Sequence, residues 1–218
     1  MMVCNHWQLD TNMILLTNGC SFTQGIYDNF AEYDAWPYQL GKLLGWDVVN
    51  LAEGGGSNAR IFRTTMEYLL DKTPDYVAIM WTEPARHELP YHTGDTIRVM
   101  HSMALPEQDE TVSDIPVLRN FWYKHCHNDL ASQQRTVYYI RCIKMILESR
   151  NIPYTMGWSF DTDIAESFDN WLCPGSSMQT ELSDLPKADS YGHPGTEAHQ
   201  LWANLMLERV NETLHTTR

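Results

Sequence analysis

Three short apolar runs, each ending at a turn signal, constrain the fold of this chain more than any other feature. Residues 13–17 read M-I-L-L-T and run into Asn18-Gly19. Residues 47–52 read D-V-V-N-L-A and run into Glu53-Gly54-Gly55-Gly56, and residues 75–82 read D-Y-V-A-I-M-W-T and stop before Pro84. Runs of this length and apolarity suit strands buried on both faces, as in parallel sheets. Segments of helical period lie between and after them. Trp36–Leu44 places apolar residues at helical spacing, with Pro37 near the start, where proline is favoured. Ser57 is positioned to cap a helix over Asn58–Asp71, with Ile61, Thr65, Tyr68 and Leu69 on one face. Residues 129–150 form the longest helical pattern, 152–158 a fourth strand and 196–214 a closing helix. Alternating strands and helices predict right-handed βαβ units and a three-layer α/β/α domain on a parallel sheet.

The 218 residues suit a single domain spanning 1–218. Residues 85–127 break the alternation. They are polar and aromatic, with Pro90, Pro106 and Pro116 as breakers, and read as an insertion or lid with some short helix. The first twelve residues and 160–187 read as irregular. A formal net charge of -13 argues against a broad phosphate-binding surface, which needs clustered Lys and Arg, and against adhesion to anionic membranes. No nucleic-acid or membrane partner is expected. Five cysteines (Cys4, Cys20, Cys126, Cys142 and Cys173) suggest no disulfide framework. No signal-peptide pattern or membrane-length apolar run is visible, so a cytoplasmic setting is expected.

In parallel α/β sheets the site lies at the carboxyl ends of the strands. Three segments there carry candidate chemistry: Gly19-Cys20-Ser21-Phe22-Thr23, then 50–58 (N-L-A-E-G-G-G-S-N), then Asp189-Ser190-Tyr191-Gly192-His193-Pro194-Gly195 ahead of the last helix. A serine becomes a nucleophile when a base is beside it and a third group orients that base. Ser21 is the candidate nucleophile, His193 the base and Asp189 the orienting carboxylate, with Asp184 a distant second. Backbone N–H groups at Ser21 and Gly55 can bind an oxyanion. Blander readings stand beside these. Ser21 could cap a helix, Cys20 reads as a small buried residue, and His199 as a packing residue. His125-Cys126-His127 lacks the spacing of zinc sites. The triple glycine lacks the spacing of nucleotide loops.

These blocks, in this order, resemble the SGNH hydrolase family, also called GDSL-like esterases. Gly19-Cys20-Ser21 is similar to the family's G-D-S, with Cys20 in place of Asp. Residues 50–55 resemble its second block, and His193-Pro194 its last, D-x-x-H-P. The motifs have the flavour of bacteriophage-encoded members, which would allow a virion-associated setting. The resemblance implies a flavodoxin-like α/β/α fold and hydrolysis of a short acyl ester, such as an O-acetyl group on a glycan, through an acyl-enzyme with no cofactor. It also admits a thioesterase, a lipid esterase, an acyltransferase, or a non-catalytic carbohydrate-binding protein of the same fold. Two features depart from the pattern. Asp189 precedes His193 by four positions rather than three, and Met80-Trp81-Thr82-Glu83 stands where the family's third block offers an oxyanion-binding Asn. Asn58, an amide, and Thr82, better aligned, are the expected substitutes, with Asn58 preferred. Arg86 reads either as a contact to an anionic or sugar substrate at the pocket mouth or as a surface ion pair, and Phe121-Trp122-Tyr123 with Trp171 either as an aromatic platform for a sugar or as ordinary core or lid packing.

Overall fold

The computed structural model describes residues 13–26, 32–90, 96–99, 115–164 and 171–216. A four-stranded sheet runs β1 (Ile14–Asn18), β2 (Asp47–Asn50), β3 (Tyr76–Trp81) and β6 (Tyr154–Trp158), in the spatial order β2-β1-β3-β6. Every pair is parallel. Helices α2 (Trp36–Leu44) and α7 (Thr196–Thr216) cover one face, and α3 (Asn58–Asp71) and α5 (Asp129–Ser149) the other. This is the expected three-layer α/β/α fold. The period-2 alternation of a strand explains how one sequence feeds both cores. Tyr76, Ala78 and Met80 pack with Trp36, Leu40, Trp202 and Met206, whereas Val77, Ile79 and Trp81 pack with Ile61, Leu69, Ile140 and Ile143.

Strand ends differ from the sequence reading for local reasons. β1 extends through Asn18, which pairs with Ile79. β2 stops at Asn50 because that side chain takes over the ladder's work: its Oδ1 accepts from the Ala52 N–H at 3.1 Å and from the Thr17 hydroxyl at 3.1 Å. The segment read as an insertion holds an antiparallel hairpin, β4 (His87–Pro90) with β5 (Thr96–Val99), and a helix, α4 (Ile115–His125). The stretch read as irregular after 160 contains one helical turn, α6 (Met178–Glu181). The expectation for residues 1–12 lies outside the described residues. Among the described residues no helix is long and apolar enough to cross a membrane.

Two buried imidazoles give this fold a pH signature. His199 on α7 is fully buried, and its Nδ1 accepts from the Trp36 N–H at 3.1 Å, joining the two helices of that layer. Burial, reinforced by the charge of His193, lowers its pKa to about 3. His87 is lowered to about 4 by burial and by the charges of Arg135 and His127. An unfolded imidazole takes its proton near pH 6.5, so below that pH the unfolded chain binds more protons than the folded one. Stability is full above about 6.5 and is lost as pH falls toward about 4 and below. Thermal melts should show Tm dropping through that window. His199→Asn, which keeps an acceptor for Trp36, should flatten the slope; equal slopes in the two proteins would remove His199 as its source.

Candidate active site

Ser21 opens α1 (Ser21–Gln24), a single turn directly after β1. The capping position belongs to Cys20, whose carbonyl accepts from the Thr23 and Gln24 N–H groups at 3.0 and 2.9 Å. The Ser21 hydroxyl is therefore not spent as a helix cap. Gly19 is required by space: a Cβ there would lie 2.3 Å from the Thr23 hydroxyl and 3.1 Å from the Met80 carbonyl. Gly25 ends the turn in the left-handed region, at φ 70°. This packing turns the chain sharply and leaves the Ser21 side chain half-buried at the sheet's carboxyl edge.

The last block comes to it from the far end of the chain. His193 Nε2 lies 3.0 Å from Ser21 Oγ, and His193 Nδ1 lies 2.5 Å from Asp189 Oδ2. The other carboxylate oxygen accepts from the backbone N–H groups of Tyr191 (2.9 Å) and His193 (3.2 Å). Burial alone would raise the Asp189 pKa. The hydrogen bonds from the His193 ring and backbone, the charge of His193 and the Tyr191 N–H outweigh it and hold the carboxyl below its ordinary value. The four-residue spacing is absorbed by Gly192, left-handed at φ 84°, and the loop is closed by the Lys187–Pro194 bridge. A Cβ at Gly195 would lie 2.6 Å from the Pro186 carbonyl, so this closure too depends on glycine. Asp184 is exposed and carries a long bond from the Ser183 hydroxyl, 3.4 Å, so Asp189 is the carboxylate that the structure sets against the imidazole. Phe22 sets its ring edge against the imidazole at 5.8 Å and packs on Phe160 at 4.6 Å.

The glycine segment lies over Ser21. A Cβ at Gly54 would be 4.0 Å from the Ser21 Cβ, and the Gly54 N–H donates to Gln24 Oε1 at 2.6 Å. Gly55 adopts φ 71°, and no described residue accepts from its N–H. Arg60 anchors the segment from α3, donating to the Leu51 carbonyl at 2.8 Å and pairing with Glu53 at 2.5 Å. Arg86 is 8% exposed. Its Nε pairs with Glu83 at 3.2 Å and its guanidinium lies over Phe160 at 4.6 Å, so it stands behind the rings that flank His193.

A family model described as "Family of unknown function (DUF6071)" matches residues 16–202. The chain belongs to this family. No curated protein matches it. Solved structures similar to this DUF6071 chain are SGNH-type hydrolases. One is described as a lipolytic protein of the G-D-S-L family from Desulfitobacterium hafniense DCB-2, at 15% identity and TM-score 0.56, covering 91% of this chain and 99% of that one. Another is the psychrotrophic esterase EstA from Pseudoalteromonas sp., at 12% identity and TM-score 0.55, covering 94% and 100%. A third is the acetyl xylan esterase Est2A from Butyrivibrio proteoclasticus, at 12% and 0.55, covering 93% of this chain and 64% of that one. At these identities the likeness establishes the fold.

Three expectations for the DUF6071 site are corrected. Asn58 does not aim its amide at the pocket. It is 2% exposed; Nδ2 donates to the Thr82 carbonyl (2.9 Å) and the Thr136 hydroxyl (3.1 Å), while Oδ1 accepts from the Thr82 N–H (2.8 Å). Both amide hydrogens are committed, so Asn58 is a clamp on the end of β3 rather than an oxyanion donor. Thr82 fares no better: its hydroxyl is sealed from solvent and has no hydrogen-bond partner among the described residues. Neither side chain is therefore placed as a third oxyanion donor. Trp171 is also no platform, being buried against Trp158 at 5.4 Å. Among the described residues no group of three or more His, Cys, Asp or Glu could hold a metal ion.

Sequence reasoning missed Gln24, Asn18 and Asn50. Asn18, read as a turn residue, donates to the Ile61 carbonyl and the Thr64 and Thr65 hydroxyls. Asn50 donates to the Thr23 carbonyl at 3.2 Å, tying the second block to the first. Buried backbone groups left without partners cost about 1–3 kcal/mol each. Asn58→Ala should therefore lower the unfolding free energy by about 3 kcal/mol in chemical denaturation. Unchanged stability together with a hundredfold loss of turnover would restore Asn58 to the oxyanion role.

Proposed function

We propose that this chain is a serine ester hydrolase acting on short acyl esters, such as an O-acetyl group on a glycan. The single observation that carries the reading is the continuous Ser21–His193–Asp189 hydrogen-bonded series, at 3.0 and 2.5 Å. Ser21 Oγ attacks the acyl carbon while His193 Nε2 takes its proton. Asp189 accepts from Nδ1–H, fixes the tautomer and stabilises the imidazolium. The tetrahedral oxygen receives the N–H groups of Ser21 and Gly55. As the intermediate collapses, the imidazolium returns the proton to the leaving alcohol, and an acyl-enzyme remains on Ser21. Water, deprotonated by His193, then releases the acid and regenerates the serine. Asp189 is held below the usual carboxylate range by its hydrogen bonds, so it keeps the charge that orients the ring.

The substrate reading rests on family resemblance and on a polar cleft near the end of β3, which holds Arg86, His87 and Glu88. Its charged members suit a substrate that carries polar groups, beside the apolar faces of Trp122 and Tyr139. The bacteriophage-type resemblance, and with it a virion-associated setting, rests on the motifs alone, as does the expectation of a small-molecule or glycan ester as the partner.

Hydrolysis of p-nitrophenyl esters of increasing acyl length tests the reading. Acetate should be the best substrate, Ser21→Ala should lose about 10⁴-fold or more in kcat, and Asp189→Asn should fall steeply without reaching zero. A maximum at long acyl chains would favour the thioesterase or lipid-esterase alternative. Full activity in Ser21→Ala would contradict the mechanism, and an inactive but folded wild-type chain would favour a binding protein.

A further inference from the structure

Ester chemistry leaves one charged cavity beside the site unused. A cleft of about 180 Å³ is lined in part by Asn58, Arg86, His87, Trp122, Arg135 and Tyr139. At roughly 30 Å³ per water it has room for about six waters, or one small ring. Arg135 reaches it from α5. Its Nη2 donates to His87 Nδ1 at 3.1 Å and to the Ser132 hydroxyl at 3.2 Å, and no described carboxylate pairs with it.

The tautomers follow from that donation. With Nδ1 accepting, His87 donates from Nε2 to His127 Nδ1 at 3.1 Å, and His127 donates from Nε2 to Asp129 Oδ1 at 2.7 Å. Arg135 is thus braced by a neutral imidazole. The carboxylates around the cleft are already matched: Glu88 pairs with Arg63 at 3.4 Å and Glu83 with Arg86 at 3.2 Å. Among the described residues, Arg135 is the half-buried cation of the cleft that lacks an anion, in a chain whose formal net charge is -13. A partly desolvated guanidinium presents a planar fork that matches a carboxylate.

The aromatic lining is held rigid. Tyr139 stacks on Phe62 at 4.8 Å and 18°, and Trp122 sets its edge against His87 at 5.0 Å. Such rings offer apolar faces to a sugar. Two aromatic rings connect the cleft to the reacting groups. Arg86 lies over Phe160, Phe160 packs on Phe22, and Phe22 contacts His193. Asn58, in its lining, follows the glycine segment directly.

We propose that this cleft is an acid-binding subsite, in which Arg135 and Arg86 hold the carboxylate of a uronate-type sugar unit of the substrate while its ring rests against Trp122 and Tyr139. That the ester lies at Ser21 rests on the esterase reading; the binding of the acid does not.

Calorimetric titration of the folded Ser21→Ala protein separates the two. Glucuronate should bind, glucose should bind at least tenfold more weakly, and Arg135→Gln in the same background should weaken glucuronate at least tenfold, about 1.4 kcal/mol. Arg86→Gln should weaken it too, and supplies the comparison if melts show that Arg135→Gln fails to fold. Inorganic sulfate should compete weakly. Glucuronate binding in a chain whose wild type turns over no ester would sink the esterase reading and leave the subsite standing. Equal binding of glucose and glucuronate, sulfate binding with glucuronate silent, no glucuronate binding at millimolar concentration, or glucuronate binding indifferent to both arginine substitutions would overturn the proposal.

Discussion

Parallel pairing of β1 with both β2 and β3 is the constraint from which the rest of the structure follows. Parallel strands send their outgoing loops to the same edge, so the turn at Gly19–Ser21, the glycine segment after β2 and the segment after β3 meet at one place. Backbone groups leaving the ladder there still need partners. Three asparagines supply them. Asn18 bonds α3, Asn50 takes the Ala52 N–H and reaches the Thr23 carbonyl, and Asn58 holds both backbone groups of Thr82. The polar scaffold of the site is thus continuous with the sheet that carries Ser21.

The imidazole arrives by a different route. His193 is carried on a loop that pairs with its own start through Lys187 and Pro194, with the Ala188 N–H on the His193 carbonyl at 2.8 Å and the Gly195 N–H on the Pro186 carbonyl at 3.0 Å. The same loop holds Asp189, whose carboxylate organises the backbone between the two residues as well as the ring. Orientation and electrostatics therefore come from one local motif, which α7 then fixes to the core through Ala198 and Trp202.

Much of this was legible in the sequence because the deciding signals were local. The apolar runs, the Ser57 cap and Pro37 mark β1 to β3, α2 and α3 with boundaries close to those observed, and the order of the blocks singled out Ser21, Asp189 and His193. What escaped was decided by contacts far apart in the chain. Asn58 reads as a free amide at a helix start, yet its partners are Thr82, 24 residues on, and Thr136, 78 residues on. The hairpin of β4 and β5 is hidden because Pro90 ends a strand there, and prolines read as breakers in a polar context. Trp171 allowed either a sugar platform or core packing, and a bridge to Met156 in β6 settles it as core. The Arg135–His87–His127–Asp129 series spans three segments, and no spacing rule connects them.

The central claim is that Ser21 is made nucleophilic by His193. Labelling with a fluorophosphonate, followed by peptide mass mapping, tests it most directly, because covalent capture needs an activated serine and no knowledge of the substrate. A single adduct on Ser21, lost in His193→Ala while circular dichroism is unchanged, is the result expected. An adduct on another residue, or equal labelling of Ser21 without His193, would contradict the account.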